Sequence, residues 1–169
     1  MKTLLNLTHK RAGDLLPGEL FRLSFSSVSG SSLVLMLGHT RDGDPLYGFI
    51  SSPDFQTPLT WYEGSSTDRC LSYSIDWLLE ERPGPETAPG GKAPATPRTA
   101  IHFDNDGTIM RFSPAPSFSN NAINFNLSTG KLVGQGSGYM APMVNWAIWA
   151  NLEHYQSPRA DALFVYPPA

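Results

Sequence analysis

The sequence predicts a mainly β protein, a single-domain sandwich or barrel of about nine to eleven short antiparallel strands, with one helix competing near the C-terminus. Three observations carry that expectation. Apolar residues recur mostly at every second position rather than at helical spacing. Gly and Pro contribute 15 residues each to a chain of 169, a level that interrupts long helices. Polar stretches bearing Gly, Asp or Asn separate the apolar runs, which is turn chemistry. The chain is 40% hydrophobic and 11% aromatic with a net charge of -3, so it is not a disordered chain, which is apolar-poor and strongly charged. Its length suits one domain over residues 1–169.

Along the chain, Phe21, Leu23 and Phe25 alternate with Arg22, Ser24 and Ser26, a half-buried strand. Leu33–Leu37 is a continuous apolar run, read as a strand covered on both faces. Turn residues from Gly38 to Pro45 lead into its antiparallel partner, Leu46–Ser51, and Leu59–Glu63 is a further short strand. Between Leu71 and Leu79 two templates compete. A strand aligns Leu71, Tyr73, Ile75, Trp77 and Leu79, whereas a helix aligns only Leu71, Ile75, Leu78 and Leu79; the aromatic content favours the strand. Residues 82–99 hold Pro83, Pro85, Pro89, Pro94 and Pro97 and no large apolar side chain, so they are expected to form a flexible loop within one fold.

Beyond that loop, Ala100–Ile109 and Ala122–Leu132 echo each other as strand, polar turn, strand. Gly134, Gly136 and Gly138 mark an extended or bulged run. From Met143 to Tyr155 a helix competes, with Val144, Ile148, Leu152 and Tyr155 on one face and Pro142 at a favourable first position. Ala162–Tyr166 reads as the final strand.

With 12 Lys+Arg against 15 Asp+Glu, the overall charge gives no strong nucleic-acid signal. Lys2, His9, Lys10 and Arg11 form a local basic cluster that Asp14 and Glu19 offset, and it reads as a solvated surface. Cys70 is the single cysteine. It excludes an intramolecular disulfide and favours a reducing compartment, and in a strand it reads as a packed hydrophobe rather than a nucleophile. The apolar start is broken at Asn6, short of a secretory segment, and no stretch reaches the ~18 to 20 apolar residues of a membrane span. The chain is therefore expected to be soluble and cytoplasmic, with no membrane partner.

Candidate chemistry is sparse. The string Phe103-Asp104-Asn105-Asp106-Gly107-Thr108-Ile109 resembles the first motif of the haloacid dehalogenase family, a hydrophobic strand followed by Asp-x-Asp-Gly-Thr. The resemblance implies Asp104 as nucleophile, Asp106 as general acid/base and a bound magnesium ion, hence a metal-dependent hydrolase or phosphatase. That family's fold is doubly wound α/β, whereas this chain lacks alternating strands and amphipathic helices, and downstream acids are confined to Glu153 and Asp161. The bottom-up reading of the same string is a hairpin turn. His102, Asp104 and Asp106 alternate, so with Phe103 inward they share a face and form a candidate site for a divalent cation. His39 beside Asp42 and Asp44 is a candidate general base. Trp61, Tyr62 and Trp149 are candidates for an aromatic ligand surface.

The leading expectation is a small non-enzymatic binding or interaction protein without a cofactor, its partner a protein or small ligand. Small size and the lack of a familiar signature associate it with accessory or inhibitor proteins of mobile elements. The alternatives are the Asp104/Asp106 hydrolase and a carbohydrate- or nucleotide-binding module using exposed Trp and Tyr.

Overall fold

The period-two pattern becomes strands. The computed structural model describes residues 7–24, 30–55, 58–82, 101–104, 107–116, 121–134, 142–143 and 145–167. Among them it forms fourteen strands, more than the nine to eleven expected: β1 (Thr8–Arg11), β2 (Leu20–Leu23), β3 (Ser32–His39), β4 (Pro45–Ser51), β5 (Thr60–Glu63), β6 (Arg69–Ser74), β7 (Leu78–Glu81), β8 (Ile101–Asp104), β9 (Gly107–Pro114), β10 (Ile123–Asn126), β11 (Lys131–Val133), β12 (Pro142–Met143), β13 (Trp146–Trp149) and β14 (Phe164–Tyr166). Helical content among the described residues is a 3-10 turn at Ala12–Asp14 and one short helix, α1 (Leu152–Gln156). The proline-rich stretch 83–100 lies outside the described residues.

Strands run in the order β1-β6-β2-β3-β4-β5-β9-β10-β11, with β8 pairing β9 and β12 pairing β8; β14-β13-β7 form a separate small sheet. The path has two free ends, so the architecture is sandwich-like and not a closed barrel. Strand β9 is the junction. It pairs antiparallel with β8 and β10 along its length, then parallel with β5 at Ser113 and Pro114.

The apolar run in β3 is covered on both faces, as its composition requires. Leu33, Leu35 and Leu37 enter a main core with Trp61, Phe112, Phe125, Trp146 and Ile148, while Val34 and Met36 enter a second cluster with Phe21, Tyr47, Phe49 and Cys70. Both expected hairpins form: β8 and β9 join across Asp104 and Gly107, and β10 and β11 join across a turn at residues 127–130.

Two segments differ from expectation. Leu71–Leu79 is not one strand: β6 ends at Ser74, whose φ of 71° turns the chain out of the sheet. Ser72 Oγ accepts the Ser74 N–H at 2.9 Å and stabilises the corner. Strand β7 then joins the small sheet, and Ile75 is left exposed. Likewise Met143–Tyr155 is not one helix: Trp146–Trp149 form β13, with Trp146 fully buried. The helix begins only at Leu152, where the Asn151 side chain accepts the His154 N–H at 2.7 Å as an N-cap.

Cys70 is buried in β6, and its thiol donates to Lys10 O at 3.5 Å. Burial first, then the nearby Glu19 charge, pushes the thiol up to about 11. Since the thiolate is the reactive form, dithionitrobenzoate is expected to label Cys70 about a hundredfold more slowly in the native protein than in urea. Equal rates would contradict this placement.

Candidate functional site

The corner at Ser74 and the two hairpins place a cleft beside the main core. Its volume is about 500 Å³. Ile75, Trp77 and Leu79 line one side and Phe103, Thr108, Phe125 and Leu127 the other. The Trp77 ring is held in place, because Nε1–H donates to Gly18 O at 2.8 Å. Gly18 is itself fixed: it takes φ of 89° and its N–H donates to Met36 O at 2.8 Å. The opposite lip is also rigid. Asn126 Oδ1 accepts the N–H groups of Ser128 and Thr129, each at 2.9 Å, and Gly130 closes the turn at φ of 65°.

The chemistry of this lining is uneven. Indole, phenyl and aliphatic surface dominate, and the hydroxyls of Thr108 and Ser128 supply polar groups. None of the described lining residues is an acid, base or thiol. A concave, mostly apolar surface with a few hydroxyls has the composition of a small-molecule pocket.

The residues singled out from sequence do not converge on it. His39 is exposed at the end of β3. Asp104 ends β8 opposite Gly107, while its side chain and the whole of Asp106 lie outside the described residues. Phe103 does pack towards the main core, and His102 on the alternate face is buried. Burial, followed by the positive charge of Arg111, holds the His102 imidazole below its ordinary value. Among the described residues no three His, Cys, Asp or Glu side chains gather as a metal site requires.

A depressed imidazole has a measurable consequence. The unfolded chain takes up a proton near 6.5 while the native chain resists it, so folding stability is full above that pH and falls as the pH drops towards the native value. The urea midpoint is expected to decline from pH 8 to pH 5, and His102→Gln is expected to flatten the decline. An unchanged slope in that variant would contradict it.

The aromatic candidates also part company. Trp61 is only 3% exposed, in the main core, with Nε1–H donating to Asn121 O at 3.1 Å. Tyr62 points to the opposite face and packs on the second cluster. Trp149 is 8% exposed in the small sheet, donating to Glu80 Oε2 at 2.8 Å. These three therefore form no common platform. The tryptophan that faces a cleft is Trp77, which strand alternation assigns to the core; only the turn at Ser74 brings it there, and no motif signals that turn.

Among the described residues no helix is long and apolar enough to cross a membrane. Comparison of the chain with known protein families, with characterised proteins and with solved structures finds no match.

Proposed function

We propose that the protein is a non-enzymatic binding module that holds a small molecule with a planar or ring-shaped apolar face in the Trp77 cleft. The observation that carries this reading is the lining itself: a fixed indole and apolar walls beside two hydroxyls, with no titratable group among the described lining residues. The volume of about 500 Å³ falls within the range of small-molecule sites. Stacking on Trp77 supplies affinity, and the Thr108 and Ser128 hydroxyls supply orientation towards a polar edge of the ligand. Nucleosides and aryl glycosides have this combination of ring and hydroxyls.

Intrinsic fluorescence during titration with a panel of nucleosides, sugars and aryl glycosides tests the reading. A saturable change is expected with at least one member. It should be lost in Leu127→Trp, which places bulk in the cleft, and weakened in Trp77→Phe. Saturable binding that survives both substitutions unchanged would refute the assignment of the site.

A further inference from the structure

A second recess, of about 470 Å³, lies by the outer side of the β9-β10-β11 hairpins and is lined in part by Arg111, Asn121, Asn124 and Val133. Strand register explains why they meet. Arg111 on β9 pairs with Asn124 on β10, which pairs with Val133 on β11. Side chains directly opposite each other share a face with Cβ atoms ~5 Å apart. The Asn121 backbone is anchored by the Trp61 indole at 3.1 Å.

Two groups here have unused hydrogen-bonding capacity. Asn124 is 6% exposed and, among the described residues, its Oδ1 accepts no hydrogen bond, while Nδ2 makes a long one of 3.4 Å to Gly134 O. A buried carbonyl left in this state destabilises the fold unless something donates to it. Arg111 is half-buried and forms no ion pair among the described residues. Its guanidinium offers planar donors suited to an oxyanion. A cation beside an unsatisfied acceptor selects a particular chemistry: negative oxygen for Arg111 and, close by on the same molecule, a hydrogen for Asn124. Oδ1 is itself buried, but the terminal amide torsion is soft, so a turn of the amide that exchanges Oδ1 with Nδ2 and gives up the long bond to Gly134 O presents the acceptor to a ligand in the recess.

We propose that this recess binds a small oxyanion that also carries an O–H or N–H hydrogen, such as a hydrogen phosphate group or a hydroxy-carboxylate. Arg111 holds the anionic oxygens and Asn124 Oδ1 accepts the hydrogen. The recess is larger than the anionic group alone, which leaves space for the rest of an organic molecule. This site is separate from the Trp77 cleft, and neither proposal depends on the other.

The test uses two matched pairs of probes at pH 6.5, inorganic phosphate against sulfate and glycolate against acetate, followed by amide chemical shifts of the full chain. In each pair only the first member retains a hydrogen to donate. The donor-bearing probe is expected to bind at least about tenfold more tightly than its counterpart, with shifts centred on β9 and β10. Arg111→Met should abolish binding of all four, and Asn124→Leu should remove the preference within each pair. Equal affinities within both pairs, no binding by any probe, or a preference that survives Asn124→Leu would overturn the proposal. If Asn124→Leu does not fold, loss of binding in Arg111→Met together with the pairwise preference of the wild type decides the matter.

Discussion

Replacing Glu19 by alanine is expected to lower the unfolding free energy by about 2 to 4 kcal/mol. Glu19 is 2% exposed and stands where three parts of the main sheet meet. Its carboxylate accepts from Lys10 Nζ on β1 at 2.5 Å, from the Leu16 N–H at 2.6 Å and from Ser72 Oγ on β6 at 3.0 Å. Alanine leaves these donors without their acceptor. Lys10 is 31% exposed and regains water, which keeps the loss below that of a fully buried pair. Glutamine preserves an acceptor but not the charge, so its loss is expected to be about 1 to 2 kcal/mol.

The same residue makes stability depend on acid. Burial alone would raise its carboxyl, but the hydrogen bonds from Lys10, Leu16 and Ser72, with the Lys10 charge, hold it below its ordinary 4.5. A depressed carboxylate contributes stability that is fully present above 4.5 and is lost as the pH falls through the native value. The stability gap between wild type and Glu19→Gln should therefore narrow in acid. Urea unfolding at pH 7 and pH 3 checks both points, and a gap that stays constant would contradict the assigned role.

The second large effect lies at the junction strand. Phe112 is fully buried, and Phe112→Ala is expected to cost about 3 to 5 kcal/mol. Its ring lies against Gly48 of β4 so closely that a Cβ there would stand 2.5 Å from Phe112 Cε1. Gly48→Ala alone is therefore expected to destabilise by about 1 to 3 kcal/mol through overpacking. Once the ring is gone, the added methyl enters the vacated space. The next nearest atom is Leu37 Cδ2 at 3.0 Å, the end of a flexible side chain. The double variant should thus be more stable than the sum of the single losses by at least about 1 kcal/mol. Additive losses in urea unfolding would show that the ring and Gly48 do not contact as described.

How much of this was legible in sequence depends on range. Local patterns carry through where one strand makes its own case: the unbroken apolar run Leu33–Leu37 does lie between two cores, and the Asp/Asn/Gly strings at Asp104–Gly107 and Asn126–Gly130 do join hairpins. Period-two reading fails at Ser74, because a serine at φ of 71° is rare enough that alternation runs straight through it. The helical reading fails at Trp146–Trp149, where burial among strands overrides a helical spacing completed only by Leu152 and Tyr155.

The candidate sites were less visible still. Trp77 reaches its cleft through a corner, and Arg111 meets Asn124 through strand register. Neither pair of neighbours is close in sequence, and neither follows a recognisable motif. The residues that did look chemical, His39, His102 and Asp104, sit respectively at an exposed strand end, on a covered sheet face and at a hairpin turn.

The central claim is that Trp77 is the ligand-facing tryptophan. The chain has four tryptophans, so nitrogen-15 spectra contain four indole N–H resonances that report on separate places in the fold. Titration with the nucleoside and aryl glycoside panel is predicted to shift the Trp77 resonance saturably while those of Trp61, Trp146 and Trp149 stay in place. A spectrum in which no panel member moves Trp77, or in which the shift centres on Trp149, would contradict it.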